Sequence, residues 1–72
     1  MSGGAEVVWR GRDPALATAI SARLREEGIE AEILTESDVV VGGLWFEVVV
    51  PAGEAGRAVE VVRGMMVERG EV

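Results

Sequence analysis

The spacing of apolar residues changes period four times along the chain, and this order of patterns limits the possible folds more than any other feature. Residues 5–10 are rich in β-branched and aromatic types and end at Gly11, which is typical of a strand. Residues 30–35 alternate in polarity, so they predict a second strand with one wet face. Residues 44–50 show the strongest strand pattern, which Pro51 ends.

A helix is predicted over residues 14–27, after the first strand. Asp13 can cap its first amides, and Pro14 suits the first helical position because no intrahelical hydrogen bond is lost there. Gly28 is placed where a left-handed residue would end the helix. One narrow apolar stripe recurs every four positions, at Leu16, Ile20 and Leu24.

A second helix is predicted from about Glu54 to Val67, but two glycines weaken it. Gly56 and Gly64 each cost roughly 0.5–1 kcal/mol relative to alanine. An alternative therefore stays open, in which Gly64 ends the helix and residues 65–67 form a short fourth strand. At the two ends of the chain we expect a disordered segment over residues 1–4 and a frayed one over residues 68–72.

The order strand, helix, strand, strand, helix predicts a single α+β domain over residues 1–72. We expect a mainly antiparallel sheet with both helices on one face. This is a ferredoxin-like split βαβ arrangement (βαββα) whose fourth strand is missing or vestigial. One side of such a sheet has no helix to cover it, and one strand edge lacks a partner.

The small size of the chain indicates that it associates with another molecule. A core built from 72 residues rarely contributes more than roughly 3–5 kcal/mol of net stability. Since the chain has no Cys and no His, neither a disulfide nor a thiolate or imidazole metal site can reinforce it. We therefore expect a homodimer that also recognises an unknown protein partner.

The charge of the chain disfavours polyanionic partners. The net charge is −6, and the seven basic residues are all arginines, spread along the chain rather than clustered. Nucleic acids and anionic membrane surfaces are therefore not expected as partners. The N-terminal residues resemble no secretion signal and no apolar run approaches the ~20 residues of a membrane span, so we expect a cytoplasmic protein.

The side-chain inventory predicts a protein that is not an enzyme and that uses no metal or cofactor. The chain has no His, Cys, Lys or Tyr, so acid/base and nucleophilic chemistry would depend on carboxylates and hydroxyls. The most suggestive carboxylates lie on a predicted solvated strand and turn, at Glu30, Glu32, Glu36 and Asp38. Such a set is far more often a wet surface than a catalytic or metal site.

Alternation along the strands predicts a partner-binding surface on the uncovered side of the sheet. If Phe46, Val48 and Val50 face the helices, Trp45 and Val49 face away from them. By the same alternation Val8 and Leu34 lie on that side, with charged residues around them. Acidic residues among them disfavour RNA. The loop before Gly42 and Gly43 adds an apolar run to this surface, at Val39, Val40 and Val41.

A small-molecule sensor is the alternative to a protein-binding module. Gly11 and Arg12 stand just before the first helix, where Arg12 could hold the carboxylate of an amino-acid-like ligand between two protomers. A phosphate is less well suited to this position, because Asp13 already occupies the helix cap.

Four short segments over roughly residues 6–66 form a recognisable set: Asp13-Pro14 with its helix, residues 24–31, residues 46–51, and a helix that contains Ala58. In these segments the chain resembles a family of small bacterial domains, the prokaryotic signal-transducing protein family. The resemblance implies a ferredoxin-like fold and a role in signal transduction. It implies no ligand, reaction or catalytic residue.

Overall fold

The computed structural model describes residues 4–70, and it shows an α+β fold with the predicted order βαββα. Three strands form one sheet in the order β1-β3-β2, and both pairings are antiparallel. The elements are β1 (Ala5–Gly11), α1 (Pro14–Glu26), β2 (Glu32–Ser37), β3 (Leu44–Pro51), a 3-10 turn (Ala52–Glu54) and α2 (Ala55–Arg69). The central strand β3 therefore contacts both edge strands.

Helix α1 begins at the predicted residue, Pro14, and ends at Glu26, one residue before the predicted end. The Asp13 carboxylate accepts hydrogen bonds from the amides of Ala15 (3.0 Å) and Leu16 (3.3 Å), so two of the free first-turn amides are satisfied. At the other end Gly28 has φ +83°, and the Ile29 amide donates to the Leu24 carbonyl at 2.9 Å. This left-handed residue turns the chain back toward β2.

Both helices pack against the same side of the sheet. One hydrophobic cluster joins buried residues from α1, from β3 and from α2, so the two helices share a single core. The fully buried side chains of Ile20 and Leu24 from α1 and of Val48 from β3 belong to it. Helix α2 contributes Ala58, Val62 and Met65. Within residues 4–70, no helix lies on the other side of the sheet.

Helix α2 is longer than predicted, and the alternative fourth strand at residues 65–67 is wrong. The helix continues to Arg69, where Gly70 ends it with φ +76°. Gly64 does not end it, because the buried Met65 binds the following turn to the core. Residues 68–69 are accordingly helical rather than frayed, while residues 71–72 lie outside the described residues.

At the N-terminal side of the sheet the chain is held in place by a backbone contact. The Gly4 carbonyl accepts a hydrogen bond of 2.9 Å from the Ala52 amide. The disorder expected for residues 1–4 therefore does not apply to Gly4, and residues 1–3 lie outside the described residues.

Strand β2 begins at Glu32, two residues later than predicted.

A bulge in β1 changes which side chains face the core. Val7 pairs with Val49 and Trp9 pairs with Val48, so Val8 is an extra residue in the ladder. Val8 and Trp9 both pack against the core cluster, and Val7 lies on the opposite side of the sheet. The prediction that Val8 lies on the uncovered side is therefore wrong, because regular alternation does not survive a bulge.

The ring of Trp9 leaves no room for a side chain at Gly11. A Cβ atom built on Gly11 would lie 2.6 Å from Cζ2 and 2.7 Å from Cη2 of Trp9. By contrast, a Cβ built on Gly64 would meet no atom within 4 Å. The packing of Trp9 therefore requires glycine at position 11, whereas no neighbouring atom requires glycine at position 64.

We expect Gly11→Ala to lower the free energy of unfolding by roughly 1–3 kcal/mol, because the ring of Trp9 must shift. The matched change Gly64→Ala should raise it by about 0.5–1 kcal/mol, since alanine is the better helix former. Urea denaturation of both variants measures the difference. A Gly11→Ala variant as stable as the unmodified chain would contradict the packing described for Trp9.

Candidate binding surface on the uncovered side of the sheet

The side of the sheet opposite the helices presents a mixed apolar and charged surface, which we call the open face. Paired residues on neighbouring strands share a side, so the strand register assigns its members. They form three rows across the sheet. The rows are Val7, Val49 and Glu32; then Arg10, Glu47 and Leu34; then Trp45 and Glu36, with Arg12 beyond the end of β1.

Arg10 extends from one edge of the open face across the central strand. Its Nε lies 3.2 Å from Oε2 of Glu47, and its Nη2 lies 3.7 Å from Oε1 of Glu36. The Glu47 side chain is only 15% exposed, whereas those of Arg10 and Glu36 are exposed. Arg10 thus links all three strands and compensates the most enclosed carboxylate of the face.

Trp45 lies on the open face, as alternation predicts, and two arginines contact its ring. The guanidinium carbon of Arg10 lies 4.4 Å from the ring centroid, and that of Arg12 lies 4.5 Å from it. Each contact of this kind contributes about 0.5–1 kcal/mol at an exposed site. The ring is therefore half-buried and held in one orientation, without belonging to the core cluster.

The structure does not bring Gly11 and Arg12 together as a ligand site. Gly11 is covered by Trp9 on the core side, whereas the guanidinium of Arg12 lies on the open face over Trp45. Arg12 also runs beside Gly43, where a Cβ would lie 3.5 Å from Nη1. Among residues 4–70 Arg12 forms no ion pair, so its donors could still receive an anionic group.

The apolar part of the open face differs from the predicted one at two positions. Val7 takes the place expected for Val8 and is exposed, as is Leu34. Val49 lies on this side but is only 8% exposed, so it offers little free surface to a partner. The apolar surface available for contact is thus formed mainly by Val7, Leu34 and Trp45.

The turn between β2 and β3, residues 38–43, forms what we call the hairpin tip. Oδ1 of Asp38 accepts hydrogen bonds from the amides of Val40 (3.0 Å) and Val41 (3.1 Å), which holds the turn in shape. Gly42 and Gly43 close it with φ values of +87° and +100°. Its three valines are 91% (Val39), 90% (Val40) and 71% (Val41) exposed.

The four suggestive carboxylates serve separate purposes. Asp38 holds the hairpin tip and Glu36 contacts Arg10. Within the described residues, 4–70, no three Asp or Glu side chains come together in a way that could hold a metal ion. Glu30 and Glu32 instead line an open groove of about 820 Å³ at the end of the sheet opposite the hairpin tip.

Sequence reasoning missed the contribution of Val7, the contact of Arg10 with two carboxylates, and this groove. The contact of Arg10 with Glu47 had a signal, since alternation places both on the open face. The position of Val7 had none, because the bulge is not visible in the pattern of apolar residues. The groove also had none, since it is lined by segments far apart in the chain, among them Ala5, residues 28–32 and residues 49–51.

Comparisons of the chain with protein-family models, with curated proteins and with solved structures found no match. Neither α1 nor α2, the two α-helices among residues 4–70, has the length and apolar character that crossing a membrane requires. The function must therefore be argued from the surface itself.

The same substitution at two leucines, one in the core and one on the open face, should change the free energy of unfolding by different amounts. We expect Leu24→Ala, in the core, to lower the free energy of unfolding by roughly 2–5 kcal/mol. The same change at Leu34 should alter it by no more than about 0.5 kcal/mol, because its side chain is already exposed to water. Thermal or urea denaturation compares the two. A large loss of stability in Leu34→Ala would show that this residue serves the fold rather than a binding surface.

Proposed function

We propose that this chain is a non-enzymatic regulatory module of the signal-transducing kind, which binds another protein through its open face and hairpin tip. One observation carries the proposal: among residues 4–70 one side of the sheet, with Trp45 on its central strand near the hairpin tip, lies uncovered beside three solvent-exposed valines. Exposed apolar surface with a polar rim is typical of protein-binding sites.

The side chains of the open face are suited to strong local contacts. Trp and Arg are the residue types most enriched among those that dominate binding energy. Trp45 is already oriented by Arg10 and Arg12, so little side-chain entropy remains to be lost on binding. The hairpin tip is likewise held by Asp38 before any partner arrives.

We extend the fold assignment to the ferredoxin-like class. The order β1-β3-β2 with two helices on one side corresponds to that architecture without its fourth strand, which would pair along the free edge of β1. A module of this kind offers a sheet surface rather than a catalytic cleft. The absence of His, Cys, Lys and Tyr supports binding rather than catalysis, and a chain without Cys suits the cytoplasm.

Affinity enrichment from the native cells tests the proposal. We expect a specific partner to be retained by the unmodified chain and lost with Trp45→Ala. Titration of the purified partner should show at least a ~10-fold rise in Kd, equal to about 1.4 kcal/mol. A hairpin-tip variant, Val40→Ser, should weaken binding, while Val67→Ser makes the same change at an exposed position on α2 and should not. Retention of every partner by both Trp45→Ala and Val40→Ser would exclude the proposed surface.

A small-molecule sensor is the second candidate, and one observation favours it. Arg12 forms no ion pair among residues 4–70, and its guanidinium lies exposed beside Gly43, where it could bind a ligand carboxylate. Gly11 would take no part, because Trp9 covers it.

A thermal-shift panel of amino acids and nucleotides at millimolar concentration separates this candidate from the first. A ligand at 100 times its Kd should stabilise the native state by about 2.7 kcal/mol, which raises Tm. The shift should disappear in Arg12→Ala and persist in Arg63→Ala, an exposed arginine on α2. A panel without any shift would count against the sensor and leave the protein-binding proposal unaffected.

A further inference from the structure

We infer that the open face is occupied by a second copy of the chain, in a symmetric dimer whose two-fold axis runs parallel to the strands. The inference rests on the proposed function, since it takes the open face to be a binding surface. It adds the identity of one partner and the way in which the two surfaces meet.

The charges of the open face are divided between its two edges. The backbones of Arg10 and Arg12 lie at the β1 edge, with both guanidiniums reaching toward Trp45 on β3, whereas Glu32 and Glu36 lie at the β2 edge. Trp45 and Glu47 lie between them on β3. Because β1 and β2 are both antiparallel to β3, they run parallel to each other, and the three rows keep the same order along both edges.

A two-fold axis parallel to the strands places the basic β1 edge of one copy opposite the acidic β2 edge of the other. Such an axis exchanges the two edges and keeps each row at its own level, so β1 of one copy lies over β2 of the other. Arg12 then faces Glu36 of the second copy, and the contact occurs twice. Trp45, with Arg10 and Arg12 against its ring, lies beside its own symmetry mate near the axis.

The other face-to-face arrangement brings like charges together. A two-fold axis across the strands places β1 over β1 and exchanges the outer rows, so Arg10 faces Arg10 and Glu32 faces Glu36. Like charges opposed across an interface are strongly unfavourable. Between these two symmetries, the charge pattern therefore selects the axis parallel to the strands.

The dimer is expected to be weak. The contact surface is small. It is three strands wide, at about 4.8 Å per strand, and six residues long, at about 3.3 Å per residue. Val7, Leu34 and Trp45 supply its apolar part, and Glu47 approaches its symmetry mate while held by its own Arg10 at 3.2 Å. Interfaces below ~1,200 Å² of total buried area belong to weak, transient encounters. We therefore expect a dissociation constant in the micromolar range or above.

Sedimentation equilibrium from about 10 μM to about 1 mM tests the inference, a range set by the size of the interface. The unmodified chain should move from 7.6 kDa toward twice that mass as its concentration rises. Arg12→Glu and Glu36→Arg should each weaken association at least ~10-fold, because each opposes two pairs of like charges. An equimolar mixture of the two variants should dimerise again, since residues 12 and 36 are then of opposite sign in both places where they face each other.

Two controls separate this result from loss of folding. The double variant Arg12→Glu/Glu36→Arg should dimerise like the unmodified chain, and circular dichroism should show that all variants keep their helices. Arg63→Glu, the same charge change on α2, should leave dimerisation unaltered. Failure of the mixture and of the double variant to recover would overturn the symmetry that we infer.

The experiment also distinguishes this inference from the proposed function. A chain that stays monomeric at 1 mM, while Trp45→Ala still abolishes binding of a partner from the native cells, would overturn the dimer and uphold the open face as a binding surface. Dimerisation that Trp45→Ala leaves unaltered would overturn both the dimer arrangement and the role assigned to this residue.

Discussion

The packing of two helices against one side of β3 is the interaction on which the rest of the structure depends. Val48 and Val50 point from the centre of the sheet into the cluster that Ile20, Leu24 and Ala58 complete. Among residues 4–70 there is no further helix or strand that covers the other side. The same packing that stabilises the fold therefore leaves the open face in contact with solvent.

Ion pairs and a cation–π contact hold the side chains on the uncovered side of the sheet in place. Arg10 contacts Glu47 and Glu36 and also lies over Trp45, so a single side chain connects the three strands and shields an aromatic ring. A surface made only of Val7, Leu34 and Trp45 would favour indiscriminate association. With acidic residues at one edge and arginines at the other, the face instead favours partners with a matching pattern.

The bulge at Val8 shows how one backbone irregularity alters both sides of a small sheet. It turns Val8 and Trp9 toward the helices, which enlarges the core, and it leaves Val7 and Arg10 on the open face. The ring of Trp9 then occupies the space beside Gly11, and Arg12 is left to lie over Trp45. Arg10 stays on the side that regular alternation predicts, so the bulge changes the apolar members of the open face and not the place of this arginine.

Local patterns in the sequence were sufficient to predict the element order, the caps of α1 at Asp13 and Gly28, and the side of β3 on which Trp45 lies. Each of these depends on neighbours within a few residues, which a pattern records directly. The extent of α2 and the side taken by Val8 were decided by tertiary structure. Met65 holds the last turns of the helix only because the core is there to receive it, and the bulge exists only in the pairing of β1 with β3. Contacts between residues far apart in the chain leave no local signal, which is why the place of Val7 on the open face could be read only from the folded molecule.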